Sequence, residues 1–551
     1  MERILAEDPR AAIIERIEAE HSQELDDYWG DSYAGVRADI IQTYYEQYAP
    51  YVAAAERIAD HIDATPTQLA PLLSARTGNT VLLKREDLQR HHSFKGRGAA
   101  NRYLELSEDE RTAGVVAASA GNFAQGVAGM AGAGATIFMP VTTPAVKVQS
   151  VRNLGASVWL EGNSYSDAYA AAIDYNRSAG KTFLHPFGDE AVIHGQGTIA
   201  LEMLRDNPEI THLVVPIGGG GLIAGMAEAA KAINPNVKVI GVQYDKSAAM
   251  HRSVLAGEIV ELAETGGFSD GTNVKKVADS TLQRVQRYVD EILTVSEDDI
   301  VLAINDFYEE TRGYLEPAGA LAIAGVKQLS QRPEVRNQVL GAVCSGANIS
   351  PDKIKYVIER AAQLEGRQTL LSVALPERPG ALREFCESVV GNHSIREFRY
   401  AYAGDVGATI MIGVETTGQG DKRSFLQALE TQGYDFDDHS ADSVEQTVVR
   451  SQAGGPSRLH DREVSFVVEF PERAGALRDF LRTVGDDWNI TRFDYQASSS
   501  DTGTVLISYG MESMDETSVI TDRLRQTGFE ATRIIPPRLM RSAGRLTTSV
   551  A

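Results

Sequence analysis

From Pro66 to about residue 360, short apolar runs alternate with Ala/Gly-rich stretches of helical period. Thr80–Leu83, Val115–Ala118, Thr136–Met139, Ser157–Leu160, His212–Val215, Val237–Ile240 and Gln338–Val343 are such runs, and each reads as a strand. Runs that are apolar at successive positions suit strands buried on both faces. The alternation therefore predicts a mainly parallel sheet covered by helices, with ligand sites where strands end and helices begin. Residues 1 to about 60 read as helical instead. Ile13, Ile14 and Ile17 form one stripe, and Tyr44, Tyr48 and Tyr51 form another at i, i+4, i+7 spacing. These stripes suit packing against the body of the protein or a neighbouring subunit, and they suggest no chemistry.

The C-terminal third carries an internal repeat. Pro376-Glu377-Arg378-Pro379-Gly380-Ala381-Leu382-Arg383-Glu384-Phe385 matches Pro471-Glu472-Arg473-Ala474-Gly475-Ala476-Leu477-Arg478-Asp479-Phe480 at eight of ten positions, an offset of 95 residues. The same offset carries Phe398 and Tyr400 onto Phe493 and Tyr495. Each copy reads strand, Pro/Gly turn, helix, strand, strand, helix, which predicts helices packed on a small antiparallel sheet. The Gln452–Ser457 stretch, rich in Gly and Pro, links the copies. At 551 residues the chain is long enough for three or four units. The expected division is a helical extension over 1–60, an α/β domain over 61–365, α+β modules over 366–451 and 460–536, and a tail over 537–551.

Charge narrows the classes of partner. A net charge of −23, from 53 basic and 76 acidic residues, argues against nucleic acid and anionic membranes. Only Cys344 and Cys386 are present, so no disulfide framework is expected. No apolar run is long enough to span a bilayer, and the N-terminus is acidic from Glu2 onward. A cytoplasmic protein is the expectation. The histidines do not cluster with carboxylates or cysteines at metal spacing. His91, His92, His185 and His194 therefore read as structural, with no dedicated metal site.

Four stretches could carry chemistry. Ser93-Phe94-Lys95-Gly96-Arg97-Gly98 places a lysine at a glycine-flanked helix start, where desolvation would lower its pKa and favour imine formation. A solvated surface lysine is the plainer alternative. After the strand at 212–215, Gly218, Gly219, Gly220 and Gly221 followed by Leu222 let the backbone approach an anion at a helix N-terminus. This is a phosphate cradle without the Lys-Ser/Thr pair of nucleoside-triphosphate loops. Ser119-Ala120-Gly121-Asn122 opens another helix; Ser119 and Asn122 are natural caps, and such an end also binds carboxylates. Ser345 follows the last strand. It lacks a serine-hydrolase elbow and better suits a hydroxyl facing a heteroaromatic nitrogen, while Cys344 reads as a buried small apolar residue. Together these parts describe pyridoxal phosphate holding an amino acid.

On these motifs, with Leu315-Glu316-Pro317-Ala318-Gly319-Ala320 and both C-terminal repeats, the chain resembles biosynthetic threonine deaminases (threonine ammonia-lyases) from about Ala64 to about Thr532. These are fold-type II pyridoxal-phosphate enzymes with a tryptophan synthase β-like catalytic domain and two ACT-like regulatory domains. The resemblance implies that Lys95 carries the cofactor and removes the α-proton. It also places Asn122 at the ring hydroxyl, Gly218 to Leu222 at the phosphate and Ser345 at the ring nitrogen. The substrate L-threonine would set its carboxylate on Ser119 to Asn122. Isoleucine as inhibitor and valine as activator are the implied effectors, with Tyr400 and Tyr495 as effector contacts, in a homotetramer. Two departures from the family pattern are Phe123, where His is usual, and Gly96, where an apolar residue is usual. An L-serine dehydratase or racemase of the same fold, a threonine synthase, and a non-catalytic amino-acid sensor are the alternatives. Ala120 removes the second acid/base that a racemase needs.

Overall fold

The structure, a computed structural model, describes residues 48–376, 381–402, 408–440, 446, 463–471, 480, 487–497, 502–511, 513, 516–526 and 531–534. The chain divides into two units between Ile349 and Ser350. Among the described residues the first contains ten strands: β1 (Thr67–Leu69), β2 (Thr80–Lys84), β3 (Val115–Ala118), β4 (Ala135–Met139), β5 (Ser157–Leu160), β6 (Thr182–Phe183), β7 (His212–Pro216), β8 (Lys238–Tyr244), β9 (Glu291–Val295) and β10 (Val339–Val343).

These strands form two sheets, which corrects the expectation of one. The larger runs β1-β2-β10-β7-β8-β9 and the smaller β5-β4-β3-β6. Every pairing is parallel except β1 with β2. The chain leaves the larger sheet after β2, builds the whole smaller sheet, and returns at β7. All seven expected strands are present. The three unanticipated ones, β1, β6 and β9, lie at sheet edges, where burial from one side only leaves no continuous apolar run. Central strands such as β3 and β4 are buried at every position, which is why they read clearly.

Helix starts in this unit are of several kinds. Ser107, Ser164 and Ser296 each close a capping box with the acidic residue three positions on. Asp189 accepts from the Ala191 and Val192 N–H groups at 2.9 and 3.3 Å. The helices Asn122–Ala131 and Gly221–Ile233 instead have glycine at the cap position, Gly121 and Gly220, and like several other helices of this unit they have no side-chain cap. Their first-turn N–H groups are left for something else.

Residues 48–58 form a helix on this unit. Tyr51 is wholly buried, donates to Glu228 Oε2 at 2.7 Å and meets the His194 ring edge-on at 5.1 Å between centroids. The isoleucine stripe at 13–17 and Tyr44 lie outside the described residues.

The second unit holds β11 (Gln368–Leu375), β12 (Ile395–Tyr402), β13 (Ala408–Glu415), β14 (Phe436–Asp438), β15 (Glu463–Pro471), β16 (Asn489–Ala497), β17 (Thr502–Gly510) and β18 (Ala531–Ile534). They form two antiparallel sheets of one topology, β12-β13-β11-β14 and β16-β17-β15-β18. The strand that closes each copy, β14 or β18, is an addition to the expected pattern. The 95-residue offset holds in three dimensions. Each copy has a register shift at the same place, between Ile395 and Glu397 and between Ile490 and Arg492. Val373, Phe385, Ile412 and Leu429 are buried in one copy, and Val468, Phe480, Ile507 and Leu524 in the other. Even a changed pair keeps its role. His393 Nε2 lies 3.1 Å from Asp421 Oδ1, and the equivalent Trp488 Nε1 donates to Glu516 Oε2 at 2.7 Å. Both bonds tie a turn to the helix that follows.

Candidate functional site

The functional loops all follow carboxyl ends of parallel strands. Residues 119–122 follow β3, 185–188 follow β6, 218–221 follow β7 and 344–348 follow β10. Lys95 opens the helix Lys95–Leu104 beyond β2. Its loop is pinned to the β10 loop, with Phe94 N–H donating to the Ser345 carbonyl at 3.1 Å and an isolated bridge joining Ser93 and Gly346. That pairing explains how residues 250 positions apart share one site.

Lys95 Nζ donates to the Pro186 carbonyl at 3.1 Å and lies 5.2 Å from the Phe94 ring centroid. Burial lowers its pKa from 10.5 to about 8, against the opposing charge of Glu316. At pH 7 about one amine in ten is then neutral, against roughly one in three thousand at the ordinary value. Imine formation uses the neutral amine.

Glu316 joins these loops. It is almost wholly buried, accepts from Asn122 Nδ2 at 2.7 Å, and its own N–H donates to the Gly346 carbonyl at 3.1 Å. Asn348 Nδ2 donates to Asn122 Oδ1 at 2.8 Å and to the His91 carbonyl at 2.9 Å. Asn122 is thus held at both ends of its amide, which fixes which way it faces. In the sequence Glu316 stands inside the 315–320 motif, just before the proline that starts the helix Pro317–Leu329, and nothing local gives it a role.

The glycine loop is shaped by its neighbours. Gly220 has φ 95°, a left-handed conformation that disfavours a side chain. A Cβ on Gly219 would lie 2.3 Å from the Phe187 ring, and one on Gly221 2.8 Å from the Phe187 carbonyl oxygen. Packing against Phe187 keeps the loop free of side chains, and the helix start leaves N–H groups without a side-chain cap, as an anion site requires. Residues 119–122 form a second such end. Ser119 Oγ accepts from the Gly121 N–H at 3.3 Å, so it shapes the turn and does not cap the helix. A Cβ on Gly121 would meet nothing within 4 Å, so the loop borders open space.

Ser345 is buried and its Oγ donates weakly to the Ala318 carbonyl, at 3.3 Å. Its oxygen keeps the capacity to accept or donate once more. Cys344 is buried and its thiol pKa is pushed well above the ordinary value by desolvation, which leaves it an inert apolar filler. Tyr400 and Tyr495 occupy equivalent register positions, opposite Ile410 and Val505. The turns Pro379-Gly380 and Ala474-Gly475 lie outside the described residues. A depressed lysine, a glycine cradle that side chains would fill, an uncapped helix start and a buried hydroxyl together fit pyridoxal phosphate.

Comparison with known proteins agrees. The family described as pyridoxal-phosphate dependent enzymes matches residues 58–346, and the C-terminal regulatory domain of threonine dehydratase matches 359–449 and 455–539. The chain is 44% identical to the biosynthetic L-threonine dehydratase of Burkholderia multivorans over 83% of its own length and 92% of that protein. It is 40% identical to the corresponding Escherichia coli enzyme over 88% and 94%. Among solved structures, tomato threonine deaminase isoform 2 aligns with a TM-score of 0.56 at 39% identity, covering 58% of this chain and 89% of that one. Maize serine racemase aligns at 0.54 and 30%, covering 57% and 98%. With its lysine site, glycine cradle and doubled regulatory module all in the matched regions, the chain belongs to the biosynthetic threonine dehydratases, a pyridoxal-phosphate-dependent lyase family.

Proposed function

We propose that this protein converts L-threonine into 2-oxobutanoate and ammonia, as the first step of isoleucine synthesis, under feedback by isoleucine. The observation that carries this is Lys95: a partly buried amine with lowered pKa, on the same side of the fold as two glycine-capped helix starts that suit a phosphate and a carboxylate. Pyridoxal phosphate, when bound, supplies the electron-withdrawing ring that makes the α-proton of an amino acid removable. Gly218 to Leu222 would hold its phosphate, Asn122 its ring hydroxyl and Ser345 its ring nitrogen. A neutral serine leaves that nitrogen unprotonated, which suits elimination over transamination. The N–H groups of Ser119 to Asn122 would orient the substrate carboxylate. Lys95 Nζ would then take the α-proton. The water lost from the β-carbon is returned on hydrolysis to the 2-oxoacid, so the balance is threonine to 2-oxobutanoate plus ammonia.

The proposal includes catalytic residues 61–365, regulatory modules 366–451 and 460–536, a homotetramer and a cytoplasmic site. No helix among the described residues is long and apolar enough to cross a membrane. The regulatory part rests on two copies of one module without catalytic groups of their own. Tyr400 and Tyr495 are proposed to contact isoleucine, with valine as an opposing effector. A coupling of about 1–3 kcal/mol between the sites is the usual scale.

An assay of 2-oxoacid release from L-threonine and L-serine, with and without isoleucine and valine, tests this. Turnover of threonine, depressed by isoleucine, is expected. Tyr400→Leu and Tyr495→Leu should raise the isoleucine concentration for half inhibition. Simple competition with threonine that persists in both variants would place isoleucine in the active site instead. Reconstitution of the apoprotein adds a pH test. The rate of cofactor uptake should rise with pH and level off above about 8, following the neutral form of Lys95. Because Glu316 raises that pKa, Glu316→Gln should move the inflection to lower pH. A rate that is flat from pH 6 to 10 would contradict a titrating Lys95.

A further inference from the structure

The wall between Lys95 and the glycine loop is the segment His185–Gly188. Its Pro186 carbonyl accepts from Lys95 Nζ at 3.1 Å, and the Phe187 ring fills the space behind Gly219. His185 is braced within it. Its Nδ1 accepts from the Gly188 N–H at 2.8 Å and from the Phe187 N–H at 3.3 Å, and its ring meets Phe187 edge-on at 4.6 Å and Tyr169 at 6.0 Å. Two backbone donors on Nδ1 leave the ring proton of the neutral imidazole on Nε2. That Nε2–H has no hydrogen-bond partner among the described residues. His185 is half-buried, and its segment also carries the Pro186 carbonyl that Lys95 Nζ reaches.

Topology sets its loop beside the helix start at 119–122. β6 pairs in parallel with β3, and Leu184 N–H donates to the Val116 carbonyl at 2.8 Å. The loops after these two strands, 185–188 and 119–122, therefore emerge side by side. We propose that His185 is a positioning residue whose Nε2–H donates to the carboxylate of the amino-acid substrate, completing the anion site begun by the N–H groups of Ser119 to Asn122. This rests on placing that carboxylate at 119–122. Protonation would forfeit both Nδ1 bonds. Burial above all, opposed by Asp189 and aided by the charge of Lys95, lowers the ring's pKa to about 4. His185 thus works as a neutral donor throughout the range in which Lys95 titrates.

Two substitutions separate this role from bracing. In His185→Asn the amide oxygen can replace Nδ1, which keeps the brace and deletes the donor. In His185→Gln the amide N–H can replace Nε2–H, which keeps the donor and deletes the brace. Holoenzymes of both, with equal cofactor content, are assayed with L-threonine and melted. His185→Asn should melt near wild type, with KM raised about 10- to 100-fold at little changed kcat, because a bond to a charged group present in ground and transition states is lost. His185→Gln should melt lower yet keep KM within about threefold of wild type. Unchanged KM in His185→Asn, an equal KM increase in both variants, or a loss confined to kcat would overturn the inference. Absence of 2-oxoacid from wild type with threonine or serine would overturn the proposed function instead.

Discussion

Lys95→Ala should lower threonine turnover by at least about 10⁴-fold, since it removes the group that both holds the cofactor and takes the α-proton. The geometry makes substitution by a neighbour impossible to arrange cheaply. Lys95 Nζ sits partly buried beside Phe94 and the Pro186 carbonyl, with Glu316 nearby, and its pKa of about 8 places it close to working pH. A solvated amine has neither property. Borohydride treatment of wild-type holoenzyme should fix the cofactor covalently on the peptide that contains Lys95, and no such adduct should form in the variant. The cradle at Gly218 to Leu222 is untouched by the substitution, so reversible cofactor binding should persist, measured by dialysis. A variant that turns over within tenfold of wild type would remove Lys95 from the mechanism.

Arg97→Met should destabilise the first unit by about 3–5 kcal/mol, the scale for removing one partner of a buried ion pair. Arg97 has no exposed surface. Its guanidinium bonds Glu86 through Nε and Nη2 at 2.9 and 2.8 Å, and Glu202 through Nη1 and Nη2 at 2.6 and 2.9 Å. Lys84, also buried, pairs with Glu202 and donates to the Thr65 carbonyl at 2.6 Å. Two cations face two carboxylates, so the cluster is neutral as a whole. Without Arg97, two buried carboxylates would share one ammonium. Arg97→Lys should rescue little, because one ammonium cannot serve both carboxylates through a planar fork. The thermal midpoint of the holoenzyme checks this, and a midpoint unchanged in Arg97→Met would show that the cluster contributes nothing net. Arg97 lies two residues from Lys95, on the same helix. The motif thus joins a reactive residue to the anchor that fixes its helix.

Some of this was visible along the chain because the physics is local. Doubly buried strands show as continuous apolar runs, and β3, β4 and β10 were readable for that reason. The glycines at 218–221 announce a loop without side chains wherever the loop lies, and a lysine between Phe94 and Gly96 is conspicuous by its neighbours. The repeat was legible to the residue. Its 95-position offset carries the register shift and the core side chains of one copy onto those of the other, because both copies solve one packing problem with one pattern.

Contacts between distant segments were not legible. Glu316 looks like an ordinary helix-start carboxylate until folding sets it against Asn122, 194 positions away. His185 read as isolated because its braces are backbone N–H groups, which every residue carries and no motif marks. Ser119 looked like a cap, and the turn at Gly121 took the cap position from it. The split into two sheets left no trace either, because a strand's own residues record how deeply it is buried and not which strand lies beside it. Local sequence sets the elements and the reactive groups. Their pKa values, orientations and partners come from desolvation and from hydrogen bonds across the fold, and these exist only once the chain has closed around them.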